Sequence, residues 1–492
     1  MAGDEFFSNH FSNTSESAAI SANEVRLFGA VHSVSSQLGR PVYLVGGYVR
    51  DMLLGRPSND IDFVTLGGGI EFANAVAKSL GVSKVAVFKN FGTAQFHFEG
   101  MEIEFVGARR ESYRRNSRKP IVEDGTLEED LLRRDFTINA LAMSLTPGEE
   151  WKLIDLFGGQ HDLEACKIVT PREPGITFDD DPLRMMRAVR FASQLGFSIA
   201  PHVFDAICQY AERIQIVSSE RIVDEFNKIL LSPKPSEGLF LLERTGLLAH
   251  FLPEIDALKG VENLEGKGHK DNFNHTLQVV DNAAAAGADL WLRWAALLHD
   301  VGKVPTKRFV TGHGWTFYAH EYVGAKMIPK IFRRLHLPQN EIMQRIALLV
   351  RLHMRPIALT DDEVTDSAVR RLLFDAGNEI ESLMLLCEAD ITSKNPHKVA
   401  RFLHNFKRVR EKLLDLEERD AIRNFQPPVS GERIMEVFGL APCKEVGEIK
   451  NAIKDAILDG VIANNAEEAE QFMLKKGQEL GLVPIGTPQK EV

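Results

Sequence analysis

Asp60 and Asp62 are separated by a single isoleucine in the run NDIDFVT. In an extended strand, period-two alternation puts both carboxylates on one side and sends Ile61 into the core. Two carboxylates held side by side repel, and a divalent cation, commonly Mg²⁺ carried with a nucleoside triphosphate, relieves that cost. A third acid is available in MEIEFVGA, where Glu102 and Glu104 alternate with Ile103 and Phe105. Either can face the same site from a neighbouring strand; Glu104 is favoured. Three carboxylates and two ions suit in-line attack by a hydroxyl on an α-phosphate. One ion lowers the pKa of the attacking 3′-hydroxyl and the other stabilises the departing pyrophosphate.

Upstream, Gly46-Gly47 stands between an expected strand and an expected helix. Small residues there let backbone N–H groups and the positive helix end approach a phosphate. Arg50, one turn further on, adds charge for a triphosphate. A lone DxD or a lone glycine pair is more often a plain surface or turn. A strand, GG, RD and DxD within 25 residues are hard to obtain together by chance. Further along, LLRRDFTINALA supplies Arg134, Asp135 and Asn139, and DDPLRMMRAVRFASQLGF supplies Asp181 and Arg184 at i and i+3, on one expected helix face. Taken alone, the last pair reads as an intrahelical salt bridge on a solvated face.

A second set of ligand-type residues runs from 271 to 395: His275, the adjacent pair His299-Asp300 in WAALLHDVGK, and Asp390, with His320 and His353 between them. Imidazole and carboxylate together suit a transition metal or Mg²⁺, and a divalent ion so held activates water against a phosphate ester. Single histidines on such helices are more often packed core residues, but six ligand-type residues in this order favour a metal centre.

These residues need an α/β frame followed by helices. PVYLVGG reads as a strand, YVRDMLLG as a helix, IDFVTL as a strand and EFANAVAKSLG as a helix; KVAVF, AQFHFE and MEIEFVGA follow as strands. From about Leu127 the pattern is helical throughout. In SSERIVDEFNKIL, Ser219 is the expected cap, with Arg221 and Glu225 one turn apart in support. Residues 109–126 are highly charged and without periodicity, which fits a mobile loop. The expected organisation is a lead-in over 1–24, an α/β head over 25–145, a helical neck over 146–262, a helical metal-binding block over 263–395 and a helical tail over 396–492.

The net charge of −11 argues against bulk coating of nucleic acid, although Arg109 to Lys119 and Arg401 to Lys412 are basic clusters. No apolar run approaches the ~20 residues needed to span a bilayer. The first residues lack the basic start and apolar stretch of a secretory signal, and four scattered cysteines make no CxxC pair. A cytoplasmic protein with no membrane association is expected.

The glycine–DxD segment resembles the head of the DNA polymerase beta nucleotidyltransferase superfamily. With the two later motifs, the chain resembles class II tRNA nucleotidyltransferases and bacterial poly(A) polymerases. The resemblance implies addition of CMP, CMP and AMP to a tRNA 3′ end from CTP and ATP, with Mg²⁺ on Asp60, Asp62 and Glu104. It implies ribose recognition by Asp135, triphosphate contact by Arg134, and base recognition by Asp181 and Arg184. Arg187 and Arg190 join the implied nucleotide-binding set with Gly46, Gly47, Arg50 and Asn139. The family's pattern has Glu where this chain has Asp180. Residues 109–126 correspond to the loop the family uses when switching from C to A addition. The His/Asp order resembles the HD metal-dependent phosphohydrolases, with His320 and His353 matching ligands of a second ion; phosphatase and cyclic phosphodiesterase activities are implied. The tail resembles the element that grips the tRNA elbow through phosphate contacts. A poly(A) polymerase, a CC- or A-adding enzyme, or an HD phosphohydrolase with an RNA-binding head are the competing readings.

Overall fold

The computed structural model describes residues 20–89, 92–114, 117–264, 267–268, 271–359, 365–393, 395–420, 422–423 and 425–485. The chain divides into two units between Phe251 and Leu252. No helix among the described residues is long and apolar enough to cross a membrane.

The first unit is built on a mixed sheet. Its strands are β1 (Val42–Val45), β2 (Asp60–Thr65), β3 (Ala86–Phe88), β4 (Thr93–Phe98), β5 (Met101–Gly107), β8 (Leu141–Ser144) and β9 (Leu153–Asp155), in the order β3-β4-β5-β2-β1-β8-β9. β2 and β5 form its parallel pair, with Asp60 opposite Glu102 and Asp62 opposite Glu104. One sheet face carries Phe63 and Phe105, whose rings stack at 4.6 Å, beneath Phe28 of the Ala22–Leu38 helix and Phe72 of the Gly69–Ser79 helix. The opposite face is apolar at one end, where Val45, Val64 and Val106 are buried with Leu131 and Ala142. It becomes acidic at the other end. The same alternation that seats the phenylalanines therefore aims the carboxylates away from the core.

Two expectations about the head need correction. The chain does not stay helical after Leu127: LAMS forms β8 and pairs with β1, Val45 lying opposite Ala142. This pairing brings the preceding Asp135 and Asn139 to the glycine turn. The charged segment after Ala108 is an antiparallel ribbon, β6 (Arg109–Arg114) with β7 (Ser117–Asp124), and not an aperiodic loop; Arg109 is opposite Asp124. The basic side chains between 110 and 122 lie outside the described residues.

The Leu183–Leu195 helix packs against those at Ser219–Leu230 and Pro235–Arg244. The cap of the middle one is Ser218, so Ser219 is its first residue, not its cap. In the second unit, helices Asn272–Ala285, Leu290–Leu298, His320–Arg334, Glu341–Leu352 and Ile380–Ala389 surround a core containing Trp294 and Phe332. Helices Pro396–Asp420, Gly431–Phe438, Lys444–Leu458 and Ala466–Glu479 follow. Part of the second basic cluster is tied inward, with Arg410 bonded to Glu381 and Glu388 and Lys412 to Asp366.

Candidate active site and metal centre

A cavity of about 680 Å³ opens over the acidic end of the sheet. Asp60, Asp62 and Glu104 line it, as do Gly46, Gly47, Arg50, Arg134, Asp135, Asn139, Asp181, Arg184, Arg187 and Arg190. Glu102 shares their sheet face but sits at the exposed strand end, where it accepts a hydrogen bond from Gln95.

Burial pushes Asp62 up to about 7, with Asp60 and Glu104 adding repulsion and Arg134 opposing it. Burial likewise raises Asp60 and Glu104, each reinforced by a neighbouring acid. An acidic group short of positive charge is the environment a divalent cation fits.

Gly46 adopts φ 74°, and a Cβ there would stand 2.8 Å from Arg134 Nη1 and 3.6 Å from Asp62 Oδ2. The backbone conformation calls for glycine, while a Cβ would have to push the tip of the flexible Arg134 side chain aside. The Gly46 N–H donates to Leu141 O at 3.2 Å, so this amide is occupied by the sheet and not offered to a phosphate.

Arg50 is also committed. It donates to Asn139 Oδ1 (2.7 Å) and to both oxygens of Asp51 (2.9 and 2.7 Å). Asn139 Nδ2 donates in turn to Asp135 Oδ1 at 3.0 Å, and Arg187 Nε to Asp135 Oδ2 at 2.6 Å. Burial alone would raise the Asp135 carboxyl, yet Arg187 and Asn139 hold it far below the usual range, ionised. Arg190 donates to buried Glu225 at 2.5 Å. Sequence reasoning missed Phe191, whose ring lies 4.9, 5.4 and 3.8 Å from the guanidinium carbons of Arg50, Arg187 and Arg190. Such stacking orders cations that would otherwise repel. Its position four residues beyond Arg187 was the available signal.

Asp181 and Arg184 line the cavity together but do not share a helix face, contrary to the spacing argument. Asp181 is extended (φ −139°, ψ 101°), between two helices. It accepts from Leu183 N at 3.1 Å and from Arg221 Nη2 at 3.2 Å. Arg184 donates through Nη2 to Arg133 O at 2.7 Å, while its buried Nη1 has no hydrogen-bond partner. Nη1 is closed to solvent, so it is an unpaired donor inside the wall that is costly to leave so, and it reaches a ligand only if the guanidinium turns toward the cavity.

All six ligand-type residues of the second unit meet. His275 Nε2 lies 2.9 Å from Asp390 Oδ1, 3.5 Å from Asp300 Oδ2 and 3.4 Å from His299 Nε2. The other oxygen of Asp300 faces His320 Nε2 at 3.4 Å and His353 Nε2 at 4.0 Å. Asp300 therefore joins two three-ligand clusters, His275–His299–Asp300 and Asp300–His320–His353. The Nδ1 atoms of His299, His320 and His353 are within 2.6–2.9 Å of the carbonyls of Ala296, Phe317 and Val350. An Nδ1–H donated to a carbonyl leaves Nε2 as a lone pair aimed inward, as a metal ligand requires. Burial lowers His353 to about 4, so it is neutral. Burial opposes ionisation of Asp390, yet His275 and His299 hold it down at about 2. Gly302 makes the convergence possible, since a Cβ there would lie 2.0 Å from His320 O.

The sequence matches three family descriptions: "Poly A polymerase head domain" over residues 42–169, "Probable RNA and SrmB- binding site of polymerase A" over 196–259, and "HD domain" over 272–395. The A-adding tRNA nucleotidyltransferase of Deinococcus radiodurans is 33% identical, covering 89% of this chain and 95% of that one. The multifunctional CCA protein of Xanthomonas campestris is 35% identical, over 80% and 96% respectively. Among solved structures, the Bacillus stearothermophilus CCA-adding enzyme in complex with CTP superposes with a TM-score of 0.68 at 25% identity, covering 94% of this chain and 99% of that one. The polymerase-beta-like head and the HD domain expected from the motifs are thus both present, and the chain belongs to the tRNA nucleotidyltransferase family of enzymes.

Proposed function

We propose that the head cavity adds CMP, CMP and AMP in turn to the 3′ end of tRNA, consuming CTP and ATP and releasing pyrophosphate. One juxtaposition carries this reading: the acids of β2 and β5, the Arg134–Asp135 pair and the Asp181–Arg184 pair line a single cavity. Asp60, Asp62 and Glu104 are the residues to hold Mg²⁺, which when bound activates the 3′-hydroxyl and stabilises pyrophosphate. Arg134 faces the triphosphate. Asp135, kept ionised by Arg187 and Asn139, accepts from ribose hydroxyls.

Asp181 and Arg184 read the base. Cytosine and adenine each present an exocyclic amino donor beside a ring-nitrogen acceptor; a carboxylate accepts from the first and the Arg184 guanidinium, turned toward the cavity it lines, donates to the second. Uracil and guanine present the opposite pattern and leave buried groups unpaired. The network through Arg50, Asn139 and Phe191 fixes Asp135 and Arg187 before the nucleotide arrives.

The domain arrangement that goes with this function is a head over 25–145, a neck over 146–262, an HD block over 263–395 and a tRNA-gripping tail over 396–492, in a cytoplasmic protein. The HD block acts as a phosphohydrolase, a reading favoured by the inward Nε2 atoms and by Asp300 facing both clusters. A transition metal suits four imidazoles and two carboxylates, and when bound it supplies an activated water.

Incubation of tRNA lacking CCA with each NTP singly and with CTP plus ATP tests the reading. Addition of two residues with CTP and three with both is expected. AMP tails of indefinite length would sink it, and extension by only CC or only A would reduce it to a partial activity.

A further inference from the structure

The neck helix Ser219–Leu230 borders the head cavity with Arg221 and Lys228. Together with Glu225 they stand at i, i+4 and i+7, on one face of the helix. Arg221 Nη2 lies 3.2 Å from Asp181 Oδ2, so this end of the helix belongs to the base-reading pair. Lys228 stands seven residues on, roughly 10 Å further along the axis. There its charge acts on Asp60.

Four arginines of this cavity, Arg50, Arg187, Arg190 and Arg221, each hold a carboxylate at 3.2 Å or less. Lys228 is held more loosely. Its Nζ is 3.4 Å from Glu225 Oε1, and its side chain is half exposed. Glu225 does not depend on it. That buried carboxylate binds Arg190 through Oε2 at 2.5 Å and faces Arg187 Nη1 through Oε1 at 3.9 Å. A half-exposed pair of this kind is a weak contact. A compact ammonium on a flexible stem can leave it for a stronger anion.

The charges around the DxD pair divide the cavity in two. Burial and Glu102 raise Asp60, and Lys228 opposes them. Burial raises Asp62, and there Arg134 opposes it. Arg134 also reaches the glycine turn, since a Cβ on Gly46 would stand 2.8 Å from its Nη1. Asp60 is at the exposed start of β2 and Asp62 lies deeper. In-line phosphoryl transfer needs such a division, because the attacking and leaving oxygens lie on opposite sides of the reacting phosphorus. With the triphosphate on the Arg134 side, the Asp60 side receives the acceptor strand. The negative charge nearest to that strand's 3′-hydroxyl is its last phosphodiester.

We propose that Lys228 is a positioning residue for the acceptor RNA, binding the phosphodiester next to the 3′-hydroxyl so that the hydroxyl lies at Asp60. The inference deepens the transferase reading above and rests on it. Lys228 makes and breaks no covalent bond. Its ammonium exchanges Glu225 for a phosphate oxygen, and Glu225 keeps its two arginines.

The test is steady-state CMP addition by wild type, K228A and K228R in the full chain. The acceptor is a CCA-less tRNA assembled by ligation, with its last linkage either a phosphodiester or a neutral methylphosphonate. K228A should raise KM for tRNA about 10-fold, the value of one charge-assisted contact, with KM for CTP unchanged. Its log–log dependence of KM for tRNA on salt should be shallower by about 0.7, as for one phosphate contact on a single strand. K228R keeps the charge and should restore both. The methylphosphonate should cost wild type the same factor and cost K228A nothing further. A raised KM for CTP with KM for tRNA unchanged would put Lys228 on the triphosphate and overturn the proposal. A methylphosphonate penalty as large in K228A as in wild type would also overturn it, as would a defect that K228R does not repair. Wild type that extends the tRNA while K228A matches it removes this inference alone. Wild type that adds no CMP at all removes the transferase reading, and this inference with it.

Discussion

The two acidic centres of this chain handle charge in opposite ways. In the head, the carboxylates are spaced by a sheet: residues two apart along a strand are separated by roughly 6.5–7 Å and neighbours across strands by about 4.8 Å. No imidazole is interleaved among Asp60, Asp62 and Glu104, and their pKa values rise. In the HD block, ligand atoms from separate helices lie within 4.8 Å of one another, histidines alternate with acids, and Asp300 and Asp390 fall below the usual range. One site is an electrostatically incomplete arrangement, which under the proposed function a substrate-borne cation completes. The other is preassembled by helix packing, with lone pairs fixed by carbonyls behind them. Under the proposed functions, the head gives up an ion with its pyrophosphate, whereas the preassembled HD centre is built to keep one.

The largest test of this contrast removes the shared ligand. D300N should weaken retention of Mn²⁺ by more than about 100-fold and empty both clusters together, as measured by equilibrium dialysis. Loss from one cluster alone would show that Asp300 does not join them. In the head, R184A deletes the guanidinium proposed to read the base. It should lower kcat/KM for CTP by roughly 10- to 150-fold, the value of a charged hydrogen bond, and erode discrimination against UTP. An unchanged CTP/UTP ratio would remove Arg184 from base recognition.

Much of the head was legible because its strands alternate: Phe63 and Phe105 on one face demand Asp62 and Glu104 on the other. β8 was not, because LAMS is a short apolar run that periodicity cannot assign to helix or strand. The misplacement of Asp181 has a local cause that the sequence did contain. Proline at 182 disfavours helical backbone in the residue before it, so Asp181 is extended and the i, i+3 argument fails. The ribbon at 109–124 was hidden by its charges, which mask alternation. In the HD block the order of ligands was legible, but the facing of Asp300 toward both clusters depends on Gly302 letting two helices approach, a tertiary fact. The roles of Arg50 and Phe191 were equally non-local: a guanidinium drawn as a phosphate ligand is bound to Asp51 and Asn139.

Gly302→Ala sharpens the point about packing. It should destabilise the chain by about 1–3 kcal/mol, the usual cost of overpacking, and shift unfolding of the second unit before the first in a thermal scan. Equal stability would mean that the close approach is dispensable.

The smallest expected effect is in pH. Asp62 has its folded pKa raised to about 7 from 3.8, so the metal-free fold holds that proton more tightly than the unfolded chain. Its contribution to stability is present below about 4 and is lost as pH rises through about 7. His353 is depressed from 6.5 to about 4, so its contribution is present above 6.5 and is lost as pH falls through about 4. Metal-free protein should therefore show the two units shifting in opposite directions, each by a few degrees at about 2–4 °C per kcal/mol. The rise in melting temperature on adding Mg²⁺ should grow as pH increases through about 7. Parallel shifts in both units would break the contrast.

The most direct test of the whole account follows extension of a CCA-less tRNA with CTP and ATP at single-nucleotide resolution, comparing wild type with D62A and H299A. The account gives three added residues for wild type and for H299A and none for D62A. Extension by D62A, or its loss in H299A, would contradict it.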